Sequence, residues 1–214
     1  MKTLSVLIVV SLLSINLAAQ PDYEQAMGQA LEQFGKAADV SGLQAAAAQF
    51  ERIAEVETKE WLPSYYASMI YCIIVFRTQD PAEKERFADM AQAQVERALE
   101  IAPEESEVHT LQGMVYTAAL GVDPAGRGQT YSAKANGAFQ TAIKLNPENP
   151  RPYYMQGTTV LYTPEEFGGG KKAAQPLFEQ AMKLFEKSNT ESGLMPSWGK
   201  EDCERYLEDC KKES

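Results

Sequence analysis

Small and apolar side chains recur along the chain at helical spacing. Ala91, Val95 and Ala98 are separated by three or four residues, which places them on one side of an α-helix. Residues 135–142 repeat the arrangement, and a proline follows each stretch, at positions 103 and 147. Because proline cannot continue a helix, the pattern predicts an all-helical chain in which short turns join amphipathic helices.

The two stretches belong to an internal repeat with an offset of 44 residues, from 91 to 135. Each copy later reaches a glycine, Gly113 or Gly157, inside a predicted helix. Glycine there costs about 1 kcal/mol relative to alanine, so we expect a neighbouring backbone to approach closely at both positions. The matching pairs are Ala91/Ala135, Val95/Phe139, Ala98/Ala142, Leu99/Ile143, Ile101/Leu145 and Pro103/Pro147.

These positions resemble the tetratricopeptide repeat (TPR) family, whose unit carries a Gly and a Tyr on its first helix, an Ala-aromatic-Ala face on its second, and a closing proline. Gln112 departs from the usual leucine and Glu186 stands where a proline is usual. The resemblance implies a right-handed α-solenoid of antiparallel helix pairs with a C-terminal capping helix. The matching residues are Gly113 with Tyr116, Ala135, Phe139 and Ala142 with Pro147, and Tyr153, Gly157, Ala174, Phe178 and Ala181.

We predict one repeat domain over residues 20–214, built from four helix pairs and a cap. The cap presents Cys203, Tyr206, Leu207 and Cys210 on one face and charges on the other, as a solubilising end requires. The predicted pairs span residues 22–56, 61–102, 104–145 and 151–187, and the cap spans residues 200–212.

The repeats exceed the roughly 34 residues of a standard unit. In the second pair Asp80-Pro81 indicates a helix start and longer helices. The third pair is predicted to place its extra residues in a loop, 121–128, and the fourth in one capped helical turn, 163–170, stopped by glycines. Stacking would bring the two insertions side by side. They are either tolerated loops or a pair of lips, 121–131 and 163–172, that contact a ligand through Arg127, Glu165 and Phe167.

The first residues are typical of an export signal. Lys2 precedes an apolar stretch, 4–13, and small residues end at Ala19, which predicts cleavage there. The apolar stretch is shorter than the ~20 residues of a membrane span, so we expect no integral membrane anchor and a periplasmic or secreted protein. Residues 163–170 and 196–199 also resemble exported bacterial TPR proteins without assigned activity.

The chain carries 30 acidic and 20 basic residues, a net charge of −10. A protein this acidic cannot readily neutralise phosphates, so nucleic acid is excluded as an expected partner. Its charge favours basic or neutral partners.

Few residues are suited to chemistry. The single histidine, His109, is interpreted as a packing residue. Cys72, Cys203 and Cys210 form no metal-binding pattern and are interpreted as small buried hydrophobes. We therefore predict no catalytic residue, no metal site, no cofactor and no enzymatic activity, while an accessory role beside an envelope enzyme stays an alternative.

The sequence predicts the location of a binding surface more readily than that of an active site. The TPR resemblance implies that the first helix of each pair lines a concave face, which would bind a protein or peptide. The alternative placement for Tyr65, Met69 and Met114 is that they fill the interior or touch the cap. An alternative function is that of a small-ligand or glycan receptor that binds at the two lips. The predicted concave residues are Tyr65, Met69, Glu107, Thr110, Met114, Arg151, Tyr154 and Thr158.

Overall fold

The computed structural model describes residues 22–188 and 193–212. This part of the chain contains nine α-helices and one 3-10 turn, Glu165–Phe167, and no strand. The helices are α1 Tyr23–Lys36, α2 Val40–Val56, α3 Leu62–Arg77, α4 Pro81–Ile101, α5 Ser106–Leu120, α6 Pro124–Leu145, α7 Pro150–Leu161, α8 Lys171–Phe185 and α9 Lys200–Lys211.

The helices pack as successive pairs, α1 with α2 through α7 with α8, and α9 packs on α8. The first helices α3, α5 and α7 also contact one another along the stack. Buried alanines such as Ala91, Ala98, Ala135 and Ala142 bring paired helices close. The predicted all-α, TPR-like solenoid is confirmed.

Aspartate caps start the two longest helices, α4 and α6, at defined residues. The Asp80 carboxylate accepts from the backbone N–H of Ala82 at 2.9 Å, ahead of Pro81. The Asp123 carboxylate accepts from the N–H of Gly126 at 3.0 Å, ahead of Pro124. The predicted loop over residues 121–128 is therefore wrong beyond residue 123. The cap and the proline at the first position start α6 despite three nearby glycines.

The fourth insertion forms the expected single turn, Glu165–Phe167. The turn stops at Gly168, whose φ of +83° lies in the region that favours glycine. Pro164 occupies its N-cap position without a side-chain cap, so the expected capping is wrong although the turn is confirmed. A Cβ atom at Gly169 would collide with the backbone carbonyl of Thr163, which explains the need for a glycine where the chain folds back toward α7.

Two helical glycines accommodate aromatic rings. The ring of Phe139 lies on Gly113 and the ring of Phe178 lies on Gly157. The close approach predicted at both positions is present, but the neighbour is a side chain of the second helix and not a backbone. Both rings are fully buried. The missing side chain of each glycine therefore leaves the space that the phenylalanine ring of the second helix occupies.

The helix pairs begin and end within two residues of the bounds predicted from the sequence. The predicted signal peptide, residues 1–19, and its cleavage site at Ala19 lie outside the described residues. Within residues 22–188 and 193–212, no helix combines the length and apolar character needed to cross a membrane.

Candidate functional site

The eight residues predicted for the concave face come from α3, α5 and α7. Seven of them are buried, and Thr158 is half-buried. The expectation that they form an open binding surface is therefore corrected. The buried seven are Tyr65, Met69, Glu107, Thr110, Met114, Arg151 and Tyr154.

Part of this face is covered by residues 194–198, a segment termed the strap, which precedes α9. The carbonyls of Leu194, Pro196 and Trp198 in the strap accept hydrogen bonds from the first helices. Tyr66 donates to the carbonyl of Leu194 at 2.8 Å. Arg151 donates through Nη2 to the carbonyl of Pro196 and through Nε to that of Trp198, the latter at 3.1 Å.

Arg151 also forms a buried ion pair with Glu107. Its Nη1 lies 2.9 Å from Glu107 Oε1, and both side chains are 9% exposed. Burial raises the pKa of the Glu107 carboxyl, while Arg151 opposes that rise. The guanidinium is thereby shared between a carboxylate and two strap carbonyls, an arrangement that fits its planar set of donors.

Trp198 continues the network into the aromatic core. Its indole N–H donates to the hydroxyl of Tyr65 at 2.9 Å, and its ring meets Tyr154 edge-on with centroids 6.2 Å apart. Burial raises the pKa of Tyr65 well above its ordinary value, so this phenol stays neutral. The alternative interpretation of Tyr65, that it fills the interior or touches the cap, describes the structure better than an exposed binding surface, because its side chain is fully buried.

A large cleft lies between the two insertions and has a volume of about 890 Å³. This volume falls within the ~300–1,000 Å³ range of small-molecule sites. Pro124, Gly128 and Gln129 line one side, and Pro164 and Phe167 line the other. The two insertions therefore lie side by side, and the cleft separates them. The remaining lining residues are Thr117, Leu120, Ser132, Thr158, Thr159, Tyr162 and Thr163.

The wall of this cleft is less polar than its threonines suggest. Thr158, Thr159 and Thr163 each donate their hydroxyl proton to a carbonyl four residues earlier, at 2.9–3.1 Å. Thr117 does the same toward Gly113 at 3.0 Å. Because these protons are bound within the helices, the threonines offer methyl groups and lone pairs but no free donors to a ligand.

Two exposed aromatic side chains stand at the cleft. Phe167 is 75% exposed and Tyr162 is 71% exposed, and neighbouring exposed rings of this size often mark a binding surface. A hydrogen bond to Tyr206 and burial raise the pKa of Tyr162 to about 12, so its phenol is neutral near pH 7. None of the described lining residues is charged at neutral pH.

The predicted lip residues have different roles. Phe167 lines the cleft, whereas Arg127 binds Glu85 through its Nη2 at 2.8 and 2.9 Å, and the Glu165 side chain lies against Gly170.

Sequence reasoning missed Tyr162 and Leu120, which stand at the ends of two first helices. Their position just before both insertions was the signal that could have identified them.

The residues considered for chemistry lie outside the cleft. His109 is half-buried, and its Nε2 donates to the carbonyl of Pro103 at 2.8 Å. Cys72, Cys203 and Cys210 are buried thiols. Across the described ranges no group of three His, Cys, Asp or Glu side chains could hold a metal ion.

No protein-family model and no curated protein sequence matches this chain. Among solved structures, the HusA haemophore from Porphyromonas gingivalis is 31% identical, with a TM-score of 0.80. The match covers 91% of this chain and 95% of that one. The chain belongs to the HusA family. The likeness to HusA extends over nearly the whole of both chains and is not confined to a single repeat.

A second solved structure bears on the fold alone. TTC0263, a thermophilic TPR protein of Thermus thermophilus, is 13% identical with a TM-score of 0.63. The match covers 90% of this chain and 82% of that protein. Membership of the HusA family is thus compatible with a TPR-like solenoid of helix pairs.

Proposed function

We propose that this protein binds a tetrapyrrole of the haem class in the cleft between its two insertions, outside the cytoplasm. The observation that carries the proposal is an uncharged cleft of about 890 Å³ between the proline-bearing insertions, in a chain related to a haemophore. A tetrapyrrole of this class is flat and, apart from its carboxylates, apolar, and its macrocycle can stack on aromatic rings. Tyr162 and Phe167 present such rings at the cleft.

The chemistry of the lining favours binding over catalysis. The only titratable group among the described lining residues is Tyr162, a phenol that keeps its proton near neutral pH and whose pKa is raised further, to about 12. A general acid or base needs a pKa near the working pH. We therefore infer a carrier or receptor and no enzymatic activity. Tyr162 is also the only described lining residue of a type that ligates haem iron. Because its hydroxyl is paired with that of Tyr206, we expect contact with the macrocycle to supply most of the affinity.

Titration with haem and with metal-free protoporphyrin, followed by porphyrin absorbance, tests the proposal. We expect saturable binding of both at one site per chain. Phe167→Ala should weaken binding about tenfold, since it removes a stacking ring. Phe76→Ala is the matched control because Phe76 is also exposed but belongs to the end of α3. Absence of saturable binding by the unaltered protein, or binding of a neutral oligosaccharide instead, would overturn the proposal.

The proposed location outside the cytoplasm rests on the N-terminal sequence. Lys2, the apolar stretch 4–13 and Ala19 form the pattern of a cleavable signal. Mass spectrometry of the protein recovered from the native cell envelope or medium should give a chain that begins at Gln20. A full-length chain confined to the cytosol would contradict this part of the proposal.

A second candidate function is binding of a partner peptide at the concave face. It is favoured by the way Tyr66 and Arg151 hold alternate carbonyls of the strap, because an extended peptide from another protein could present the same carbonyls. A synthetic peptide of residues 193–199 should then compete with the strap and change Trp198 fluorescence. No change at millimolar peptide would exclude this candidate.

A further inference from the structure

The side chain of Tyr162 forms part of the cleft wall at the end of α7. It is 71% exposed, and its ring is perpendicular to that of Tyr206, with centroids 6.4 Å apart. The two hydroxyl oxygens are 3.4 Å apart, a long hydrogen bond in which either group can donate. A ring this exposed would rotate freely without such a contact, so the orientation of Tyr162 depends on α9.

Tyr206 is itself fixed by the interior. Its ring stacks on Phe178 with centroids 5.6 Å apart and an interplanar angle of 13°. It also lies 6.4 Å from Tyr154, and the guanidinium of Arg205 lies 5.3 Å from its centroid on the ring face. These contacts leave Tyr206 little rotational freedom, because stacked aromatic rings in a packed core occupy defined rotamers.

The same aromatic cluster extends to the strap. Tyr154 touches both Tyr206 and Trp198, and Trp198 donates to Tyr65 beside the Glu107–Arg151 pair. A continuous set of contacts therefore runs from the buried ion pair, through the strap and α9, to the wall of the cleft. In addition to covering the end of the solenoid, α9 contacts the residue that forms part of the cleft wall, and the strap is connected to that residue through the aromatic cluster.

We propose that Tyr206 is a positioning residue for the ligand cleft and that it acts by holding Tyr162 in the orientation that forms the cleft wall. This inference rests on the proposed binding of a tetrapyrrole at that cleft. Immobilising a side chain on binding costs about 0.5–1.5 kcal/mol, which corresponds to roughly a two- to tenfold change in affinity. Tyr206 fixes Tyr162 before the ligand arrives and thereby avoids that loss.

The test is a double-mutant cycle with protoporphyrin and haem as ligands. Tyr206→Phe keeps the ring stack and removes only the hydroxyl, and Tyr162→Phe removes the partner hydroxyl. We expect each to weaken binding roughly two- to tenfold, and the double variant to be no weaker than the weaker single variant, because both break one contact. Thermal stability should be unchanged.

Tyr153→Phe is the matched control. Tyr153 belongs to the same helix, and its hydroxyl makes a similarly long bond of 3.4 Å, to the carbonyl of Pro147, but it does not line the cleft. This variant should bind like the unaltered protein.

NMR of the Tyr162 ring provides a readout that does not depend on ligand. Tyr206→Phe should average its rotamers, while a merely structural role of Tyr206 would leave them fixed. Equal affinity of the unaltered protein and Tyr206→Phe, additive losses in the cycle, or an unchanged Tyr162 rotamer would overturn the positioning role. Failure of the unaltered protein to bind either tetrapyrrole would overturn the proposed function instead, and the positioning role with it.

Discussion

Gly157 of α7 lies against the ring of Phe178 in α8, so closely that a Cβ atom at position 157 would stand 2.8 Å from Cε1 of that ring. Gly113 of α5 has the same relationship to Phe139 in α6. The contact is therefore retained in two successive units, although the segment between glycine and phenylalanine is shorter in the fourth pair than in the third. Helix spacing in both units is thus limited by one glycine and one phenylalanine.

We predict that Gly157→Leu overpacks this contact and lowers the free energy of unfolding by about 1–3 kcal/mol. Gly157→Ala should also destabilise, although alanine favours a helix by about 1 kcal/mol. Gly137→Ala in α6 is the control, since a Cβ there meets no atom within 4 Å, and it should stabilise the protein. Denaturant unfolding measures all three. Stabilisation by Gly157→Ala would contradict the assigned contact.

The buried Glu107–Arg151 pair should be sensitive to loss of one partner. Arg151→Met leaves the Glu107 carboxylate buried without its partner and frees two strap carbonyls, so we expect a loss of about 3–5 kcal/mol. Arg127→Met breaks a more exposed pair with Glu85 and should cost at most about 1 kcal/mol. Urea unfolding compares the two.

Trp198 fluorescence locates the effect of Arg151→Met within the molecule. With Trp61→Phe as background, the emission of Trp198 should shift to the red when the strap leaves Tyr65 and Tyr154. Equal stability of the Arg151→Met and Arg127→Met proteins, or an unchanged Trp198 spectrum, would refute the role assigned to Arg151.

The Asp123 cap links the stability of α6 to the cleft. Asp123→Ala removes the bond to the Gly126 N–H and should cost about 1 kcal/mol. Because Pro124 and Gly128 of the same first turns line the cleft, tetrapyrrole affinity should fall as well. Asp80→Ala removes an equivalent cap from α4, which contributes no lining residue to the cleft, and should lower stability alone. A loss of affinity in both variants would show that the effect is not local.

Buried phenols should make the fold sensitive to alkaline pH. Burial raises the pKa of Tyr66 and Tyr154, and raises that of Tyr23 to about 12, from an ordinary value of 10.0. Between pH 10 and 12 the unfolded chain loses protons that the folded chain retains, so stability falls as pH rises through this window, and these tyrosines do not change stability at lower pH.

Ionisation of these buried tyrosines, followed by tyrosinate absorbance, should therefore accompany the loss of helical circular dichroism above about pH 10. Tyr66→Phe removes one of these phenols and should reduce the steepness of the stability loss. Titration of every tyrosine near its ordinary pKa, with the helices intact, would contradict the burial of these side chains.

Much of the fold could be predicted because its determinants are local. Alanines at 91, 98, 135 and 142 repeat at helical spacing, and all four are buried. Asp80-Pro81 identified the start of α4, and the same dipeptide at Asp123-Pro124 begins α6. The start of α6 was misjudged because the glycines of residues 121–128 indicated a loop, whereas the cap and the proline determine where the helix begins.

The candidate site was only partly predictable. The pairing of the two insertions follows from the repeat offset, and Phe167 was identified as a lip residue. The concave residues lie on the predicted helices, but the burial of Tyr65, Arg151 and Tyr154 could not be predicted, because the strap that contacts them comes from far along the chain. Tyr66 and Leu194, for example, are 128 residues apart, and no local pattern records such a contact.

The sequence by itself determined the helices, their pairing and their order, since periodicity, caps and small residues act between neighbours in the chain. Only the tertiary structure decided which surface stays open. Part of the concave face is covered by the strap, whose carbonyls accept hydrogen bonds from Tyr66 and Arg151. The cleft exists because two insertions that are separate in the sequence meet when the units stack. Both outcomes depend on contacts between residues that are far apart in the sequence. Composition and local spacing do not predict which of these residues come close together in space.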